Sequence, residues 1–128
     1  MADVTAKLKY HHLAPRKVRL VADLVRGKKV GVAMSQLAFS TKKSAQAIAK
    51  LLKSAVSNAK HNFKIDADKK DLYIKEIRVD EGPPMKRYRT AWRGTTKPFK
   101  RRTSHVVIVL GEKTETKTKK IKKIKKHE

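Results

Sequence analysis

Residues 79–103 read VDEGPPMKRYRTAWRGTTKPFKRRT. Between Glu81 and Glu112 the chain has no acidic residue, yet it carries eight cations: Lys86, Arg87, Arg89, Arg93, Lys97, Lys100, Arg101 and Arg102. Tyr88, Trp92 and Phe99 are interleaved with them. Strand-like runs flank the stretch, Leu72 to Glu81 before it and Thr103 to Leu110 after it. The pattern predicts a projecting basic β-arm over about residues 80–103, with few apolar residues of its own to pack it. From Val79 to a tip near Arg93 such an arm reaches about 45 Å at strand rise. A ribbon of one charge sign repels itself, and it suits a polyanion wrapped around it that offers flat groups for the aromatics to lie on.

The segments outside the arm read as a small body. Ala6, Leu8 and Tyr10 alternate with Lys7 and Lys9, the period of a half-buried strand. Pro15 suits the first turn of a helix whose apolar face is Val18, Val21, Ala22 and Val25, with Gly27 as its stop. Val30 to Phe39 reads as a shorter helix with Ala33, Met34, Leu37 and Ala38 on one side. Ser40 or Thr41 is placed to cap the next. That third helix carries the clearest stripe, Ala45, Ile48, Ala49, Leu52, Ala55, Val56 and Ala59, and its small residues allow close approach to a sheet. Asp66 to Asp71 reads as a polar turn. Leu72 and Ile74 alternate in one phase, Ile77 and Val79 in the other, which places a β-bulge near Lys75 or Glu76. Val106 to Leu110 is continuously apolar, as expected of a strand covered on both faces.

The expected fold is therefore α+β, with three helices packed on a small three-stranded antiparallel sheet and two strands extended into a long basic β-hairpin. Residues 1–111 form one domain in this reading, and residues 112–128 form a Lys-rich tail that is disordered by composition.

The chain has 128 residues, with 34 Lys and Arg against 11 acidic residues and a formal net charge of +23. Such a charge opposes compaction and suits phosphate neutralisation. The absence of cysteine excludes disulfides, thiolate metal sites and cysteine nucleophiles. The five histidines lack metal-ligand spacing. No apolar run approaches a membrane span, and Met1-Ala2-Asp3-Val4 opens no signal-peptide core. The expected location is the cytoplasm, or the compartment in which the protein is both encoded and at work. An enzyme is not expected. Asp80 and Glu81 diverge on a strand, as do Ser104 and His105, and nothing supplies a third orienting group. Arg26-Gly27-Lys28 lacks the spacing of a nucleotide-binding loop, and no cofactor, metal or small-molecule substrate is expected.

RNA is the partner these features suit best. Arginine forks onto phosphate oxygens and also stacks on bases, and Tyr88 and Trp92 suit stacking on unpaired bases. Two readings of Trp92 stay open, contact with RNA or another ligand and local packing within the arm. A second cationic cluster, Arg16, Lys17, Arg19, Arg26, Lys28 and Lys29, suits phosphate contacts that position the body without reading sequence. Two rivals fit the same charge less well. A DNA-compacting architectural protein would use Trp92 as a wedge but needs an apolar face for dimerisation, and none is evident in the sequence. An anionic-membrane binder would need more apolar weight than the tail carries.

Four stretches together point further. They are Arg16-Lys17-Val18-Arg19 with Arg26-Gly27-Lys28, Ser54-Ala55-Val56-Ser57-Asn58-Ala59, Val79-Asp80-Glu81-Gly82-Pro83 followed by Met85-Lys86-Arg87, and Arg102-Thr103-Ser104-His105 with its apolar strand. In this order they resemble the family of bacterial large-ribosomal-subunit protein twenty-two over roughly residues 5 to 110. The resemblance implies a small α+β body near the mouth of the nascent-chain exit tunnel. It also implies a role in assembly and a hairpin running inward through ribosomal RNA. Met85, Lys86 and Arg87 would then lie on the tunnel hairpin, and Trp92, Arg93 and Gly94 at its tip. The implied partners are large-subunit ribosomal RNA, neighbouring large-subunit proteins and the nascent polypeptide. The chain departs from the family at the tip. Members often have Pro-Arg-Ala followed by a Gly-Arg pair, whereas this chain reads Thr90-Ala91-Trp92-Arg93-Gly94-Thr95-Thr96.

Overall fold

A computed structural model describes residues 3–63 and 72–112. The polar turn expected at 66–71 and the tail from 113 onward lie outside the described residues. The element order is β1 (Val4–His11), α1 (Pro15–Val25), α2 (Val30–Phe39), α3 (Lys43–Phe63), β2 (Leu72–Glu81), β3 (Met85–Thr90), β4 (Thr96–Arg101) and β5 (Ser104–Glu112). Three helices thus accompany an antiparallel sheet of order β1-β5-β2, and β3 and β4 form a separate antiparallel pair. The α+β expectation holds.

The core lies between the helices and one face of the sheet. Val4 and Ala6 from β1, Ile74, Ile77 and Val79 from β2, and Val106, Ile108 and Leu110 from β5 are buried there. The α3 stripe meets them through Ala45, Ile48, Leu52, Ala55 and Ala59, none more than 1% exposed. Three of these five are alanines, so the helix backbone lies close to the strands, as the small residues predict. Leu51 joins this buried set, whereas Ala49 and Val56 are only partly covered. Pro15 opens α1, and Gly27 follows its end with φ +74°, a left-handed conformation that glycine adopts without steric cost.

Register carries two irregularities. Ile74 pairs with Leu110 and Glu76 with Val109, so Lys75 is the bulged residue and the change of phase read from the sequence is real. A second shift falls between Leu8 and His11 on β1, where Tyr10 takes φ +54° and its amide donates to His105 Nδ1 at 2.9 Å. No periodicity signals that one.

Three expectations need correction. The run Val106–Leu110 is not covered on both faces. Its burial alternates, with Val106, Ile108 and Leu110 buried and Val107 and Val109 half-buried, because the helices pack on one side of the sheet only. Neither Ser40 nor Thr41 caps α3 as expected. The Ser40 hydroxyl accepts from the Lys42 amide at 3.4 Å, ahead of the helix, and it is the Lys42 carbonyl that accepts from Ala45. Finally, apolar surface is left over on α1 and α2. Leu20 is 68% exposed and Phe39 88%, and Leu24 and Phe39 share one shallow cleft.

Polar contacts reach both sheet edges, one on β1 and several along β2. The Asn58 side-chain amide reaches from α3 to the Thr5 carbonyl of β1 at 3.3 Å. Along β2, the Gly27 amide donates to the Ile74 carbonyl at 3.1 Å and the Ile74 amide to the Lys28 carbonyl at 3.0 Å. Arg26 Nη2 donates to the Ile77 carbonyl at 3.1 Å, and Arg19 donates twice to the Val79 carbonyl. An open edge invites pairing with another chain, and these contacts occupy part of it.

The ladder from body to arm passes through one joint. Glu81 pairs with Ser104, the Gly82 amide donates to the Thr103 carbonyl at 2.9 Å, and the Thr103 hydroxyl donates to the Pro83 carbonyl at 2.9 Å. Pro83 and Pro84 lack amide hydrogens and end the ladder, which resumes with Met85 opposite Arg101. A methyl group on Gly82 would overlap Thr103 Oγ1, and Thr103 is only 3% exposed. Gly82→Ala should therefore displace that hydroxyl and lower stability by about 1–3 kcal/mol. Thr103→Val, which removes only the hydrogen bond, should cost less. Urea unfolding of the three proteins checks the order, and equal midpoints for Gly82→Ala and the parent would refute the packing argument.

Below pH 7 a second effect enters at the opposite strand. His11 sits in a partly buried position that, together with neighbouring His12, lowers its pKa from the ordinary value of 6.5. Burial disfavours the charged imidazolium. Above 6.5 both folded and unfolded chains carry it neutral, and its contribution is fully present. As pH falls below that value the unfolded chain takes up the proton first, so stability declines toward and through the lowered pKa. His11→Gln should flatten this part of the stability–pH curve, measured by urea midpoints between pH 7.5 and about 5.

Candidate nucleic-acid interface

Cross-strand register decides which arm residues share a face. Directly opposed residues project to the same side of an antiparallel pair. Lys86 with Lys100, Tyr88 with Pro98 and Thr90 with Thr96 form one face, and Met85 with Arg101, Arg87 with Phe99 and Arg89 with Lys97 form the other. Each face thus carries one pair of like charges directly across the ribbon, Lys86/Lys100 and Arg89/Lys97. Such pairs oppose strand association. Apolar compensation is small. Arg89 lies over the Phe99 ring at 4.7 Å, and Met85, Ala91 and Phe99 are the half-buried side chains of this segment. Pro98 sits within β4, which a two-stranded ribbon tolerates because its outer edges need no partner.

The tip is built from Ala91 to Thr95. The Ala91 amide donates to the Thr95 carbonyl at 2.7 Å, the Thr95 amide to the Trp92 carbonyl at 3.2 Å, and the Thr95 hydroxyl to the same oxygen at 2.6 Å. Trp92–Gly94 make a single 3-10 turn in which Arg93 has φ 51° and ψ 41°, and Gly94 has φ +72°. A left-handed arginine is disfavoured. Here its guanidinium lies 4.2 Å from the Trp92 ring centroid, a cation–π contact that offsets the backbone cost. Trp92 stays 60% exposed. Its ring therefore packs locally against Arg93 and still presents surface to a ligand, so the two readings of this residue are compatible.

The second cationic cluster divides. Arg16 and Lys17 are exposed on α1. Arg19 and Arg26 instead hold the β2 edge, and Arg26 also meets Asp23 at 2.6 Å. Lys28 Nζ donates to Gln36 Oε1 at 2.9 Å. Of the six cations, Arg19, Arg26 and Lys28 also brace the body through their side chains, and Lys29 does so through a backbone bridge to Tyr73. Arg102 is exposed at the arm base, between β4 and β5. Along the arm, Arg87 turns back to the Lys86 carbonyl at 2.8 Å and toward the Met85 sulfur, while Lys86, Tyr88, Arg89, Lys97, Lys100 and Arg101 are exposed. The carboxylate of Asp80 is met by Arg78 at 3.3 Å. Ser104 is buried on the helix side, and His105 is half-buried on the other, with its ring edge-on to Tyr10.

Among the described residues no cluster of His, Cys, Asp or Glu can hold a metal ion, and no helix is long and apolar enough to cross a membrane. A surface of exposed guanidinium, ammonium and aromatic groups offers charge neutralisation and stacking.

The family described as ribosomal protein L22p/L17e matches residues 6–111. The chain belongs to that family, a class of ribosomal proteins rather than enzymes. Among its relatives is the large ribosomal subunit protein uL22 of Pediococcus pentosaceus, 45% identical over 89% of this chain and 93% of the relative. The uL22 proteins of Syntrophus aciditrophicus, 47% identical over 87% of this chain and 99% of the relative, and Desulfitobacterium hafniense, 44% identical over 90% and 99%, match over a similar span.

The division within the α1 cluster has a measurable consequence. Arg19→Ala should lower stability by about 1–2 kcal/mol, because the Val79 carbonyl loses a charge-assisted donor. Arg16→Ala should leave stability within about 0.5 kcal/mol. Paired urea titrations decide, and equal losses would show that the edge contacts do not stabilise β2.

Proposed function

We propose that this protein is a structural constituent of the large ribosomal subunit that binds its RNA and supports its assembly, with the β3–β4 hairpin lining the nascent-peptide exit tunnel. It works in the cytoplasm, within the ribosome. The observation that carries this reading is the arm itself. An acid-free ribbon with like charges opposed on both faces is stabilised when phosphates lie against it. In this reading Lys86, Arg87, Arg89, Arg93, Lys97, Lys100, Arg101 and Arg102 meet phosphates, and Tyr88 and Trp92 stack on unpaired bases. Arg16, Lys17, Arg19, Arg26 and Lys28 steady the body against a backbone segment. Met85, Lys86 and Arg87 lie on the tunnel hairpin, and Trp92, Arg93 and Gly94 at its tip. Neighbouring subunit proteins and the nascent chain are further partners. Residues 1–111 act as one unit, and the Lys-rich segment 112–128 adds affinity without specificity. The family membership and the names of its relatives support the ribosomal part of this reading.

If the arm engages about six phosphates, the logarithm of the affinity for large-subunit RNA should fall with the logarithm of salt at a slope of about −4 to −5. Filter binding at several salt concentrations measures it. A slope near −1 would remove the arm as the contact surface. Displacement of the folded RNA by duplex DNA at equal phosphate concentration would favour a DNA-architectural role instead.

A further inference from the structure

One side chain joins the three strands of the body at the point where the arm leaves it. His105 follows Thr103 and Ser104 onto β5 and stands on the outer face of the sheet. Its Nδ1 accepts from the Tyr10 amide of β1 at 2.9 Å. Its Nε2 lies toward the joint, where a methyl group added to Gly82 would stand 3.3 Å away. Asp80 of β2 is its partner in register. The ring thus reaches from the end of β1 to the glycine of the joint. The Tyr10 backbone is left-handed, with φ +54°, a conformation that L side chains disfavour. It falls within the register shift between Leu8 and His11. The hydrogen bond to His105 and the edge-on contact of the two rings, with centroids 4.8 Å apart, offset that cost.

The other side-chain fastenings of the arm base leave β1 out. The Gly82 amide and the Thr103 hydroxyl join the two strands of the arm base to each other. On the helix side of the sheet His11 and Ser104 are opposed in register, yet His11 Nε2 and Ser104 Oγ are buried without a hydrogen-bond partner. Among the described residues, the side-chain hydrogen bond that carries β1 to the arm base is therefore the one at His105. It has one chemical requirement. Nδ1 accepts only while it carries no proton, so the ring must be neutral with its proton on Nε2. A protonated ring turns a second donor toward the Tyr10 amide, and the left-handed turn loses its support. The charged and titratable groups that face the ring are Lys7, Lys9 and Tyr10 from β1 and Arg78 and Asp80 from β2. Asp80 is itself met by Arg78 at 3.3 Å.

We propose that His105 is a positioning residue for the arm. As a neutral imidazole it pins the end of β1 against β5 and fixes the direction in which the hairpin leaves the body. On protonation it lets go of β1, and the arm swings about Gly82-Pro83-Pro84. Histidine changes charge between about pH 5 and 8, so the arm is held at the upper end of that interval and loosened at the lower. The device belongs to the protein alone and does not rest on the RNA-binding reading of the ribbon. It gives direction to a segment whose own like charges oppose its pairing, so less order remains to be imposed when a partner arrives.

The test uses the full chain in solution, without RNA. The sequence has no cysteine, so spin labels can be placed at exposed positions, Lys53→Cys on α3 and Thr96→Cys near the tip. Pulsed electron resonance then reports the distance from body to arm. The distribution should be narrow at about pH 8 and broad at about pH 5. Over the same interval the Tyr10 amide should lose about tenfold in hydrogen-exchange protection, after correction for the intrinsic rate. His105→Asn keeps an acceptor beside Tyr10 and does not titrate, so it should stay narrow at both pH values. His105→Phe keeps a ring without the acceptor and should be broad at both. His11→Gln should respond to pH as the parent does, which separates this effect from the titration of His11. Equal widths at the two pH values in the parent would overturn the proposal. So would a His105→Asn response that matches the parent, or a response abolished by His11→Gln. Should the His105 variants fold poorly, Tyr10 amide protection in the parent decides by itself, and unchanged protection overturns the proposal.

Discussion

Like charges facing each other across a two-stranded ribbon set the terms for this molecule. Lys86 against Lys100 and Arg89 against Lys97 push the strands apart, and only Phe99, Met85 and Ala91 offer partial cover. A lone hairpin of this composition is marginal in water. It nonetheless follows directly on a body, because β2 and β5 pair up to Glu81 and Ser104 immediately before the joint. The body therefore supplies register and direction, and among the described residues no carboxylate pairs with an arm cation. That division explains why the core is apolar and the arm is not.

The joint turns this arrangement into a shape. Two prolines end the sheet, and the buried Thr103 ties both strands across the gap. The stretch Glu81-Gly82-Pro83 and the stretch Arg102-Thr103-Ser104 are thus two halves of one contact. Gly82 is required there by close approach, since the space a side chain would need is filled by Thr103. Asn58 reaches the opposite edge of the sheet, and Arg19 and Arg26 reach the edge nearest α1. Residues that look like a surface motif in one dimension are therefore partly the fastenings of the sheet. For Arg19 and Arg26 this does not preclude contact with phosphate, because a guanidinium carries five N–H donors.

Much of the architecture was legible because it depends on local periodicity. The α3 stripe, the stop at Gly27, the bulge near Lys75 or Glu76 and the end of β2 at Glu81 all follow from spacing that one element imposes on its own residues. Where reading failed, the cause was non-local. Val106–Leu110 is apolar throughout, but only packing shows that the helices cover one side. Ala38 belongs to the apolar side of α2 by spacing, yet it is exposed once that helix is placed. Tyr10 and His105 meet although they lie far apart in sequence, and no motif links them. The left-handed arginine at the tip was likewise hidden, since its stabilising ring contact is made within the folded loop.

The chain itself determined that there is an arm, that it is basic and unopposed by acids, and that an α+β body carries it. Charge count and period are properties of the order of residues, and no folding is needed to count them. Tertiary structure decided which cations brace the sheet and which face outward. It also decided which like charges confront each other and where β1 meets the arm base. Those depend on strand register and helix placement, which pair residues across long separations and assign each side chain a neighbour.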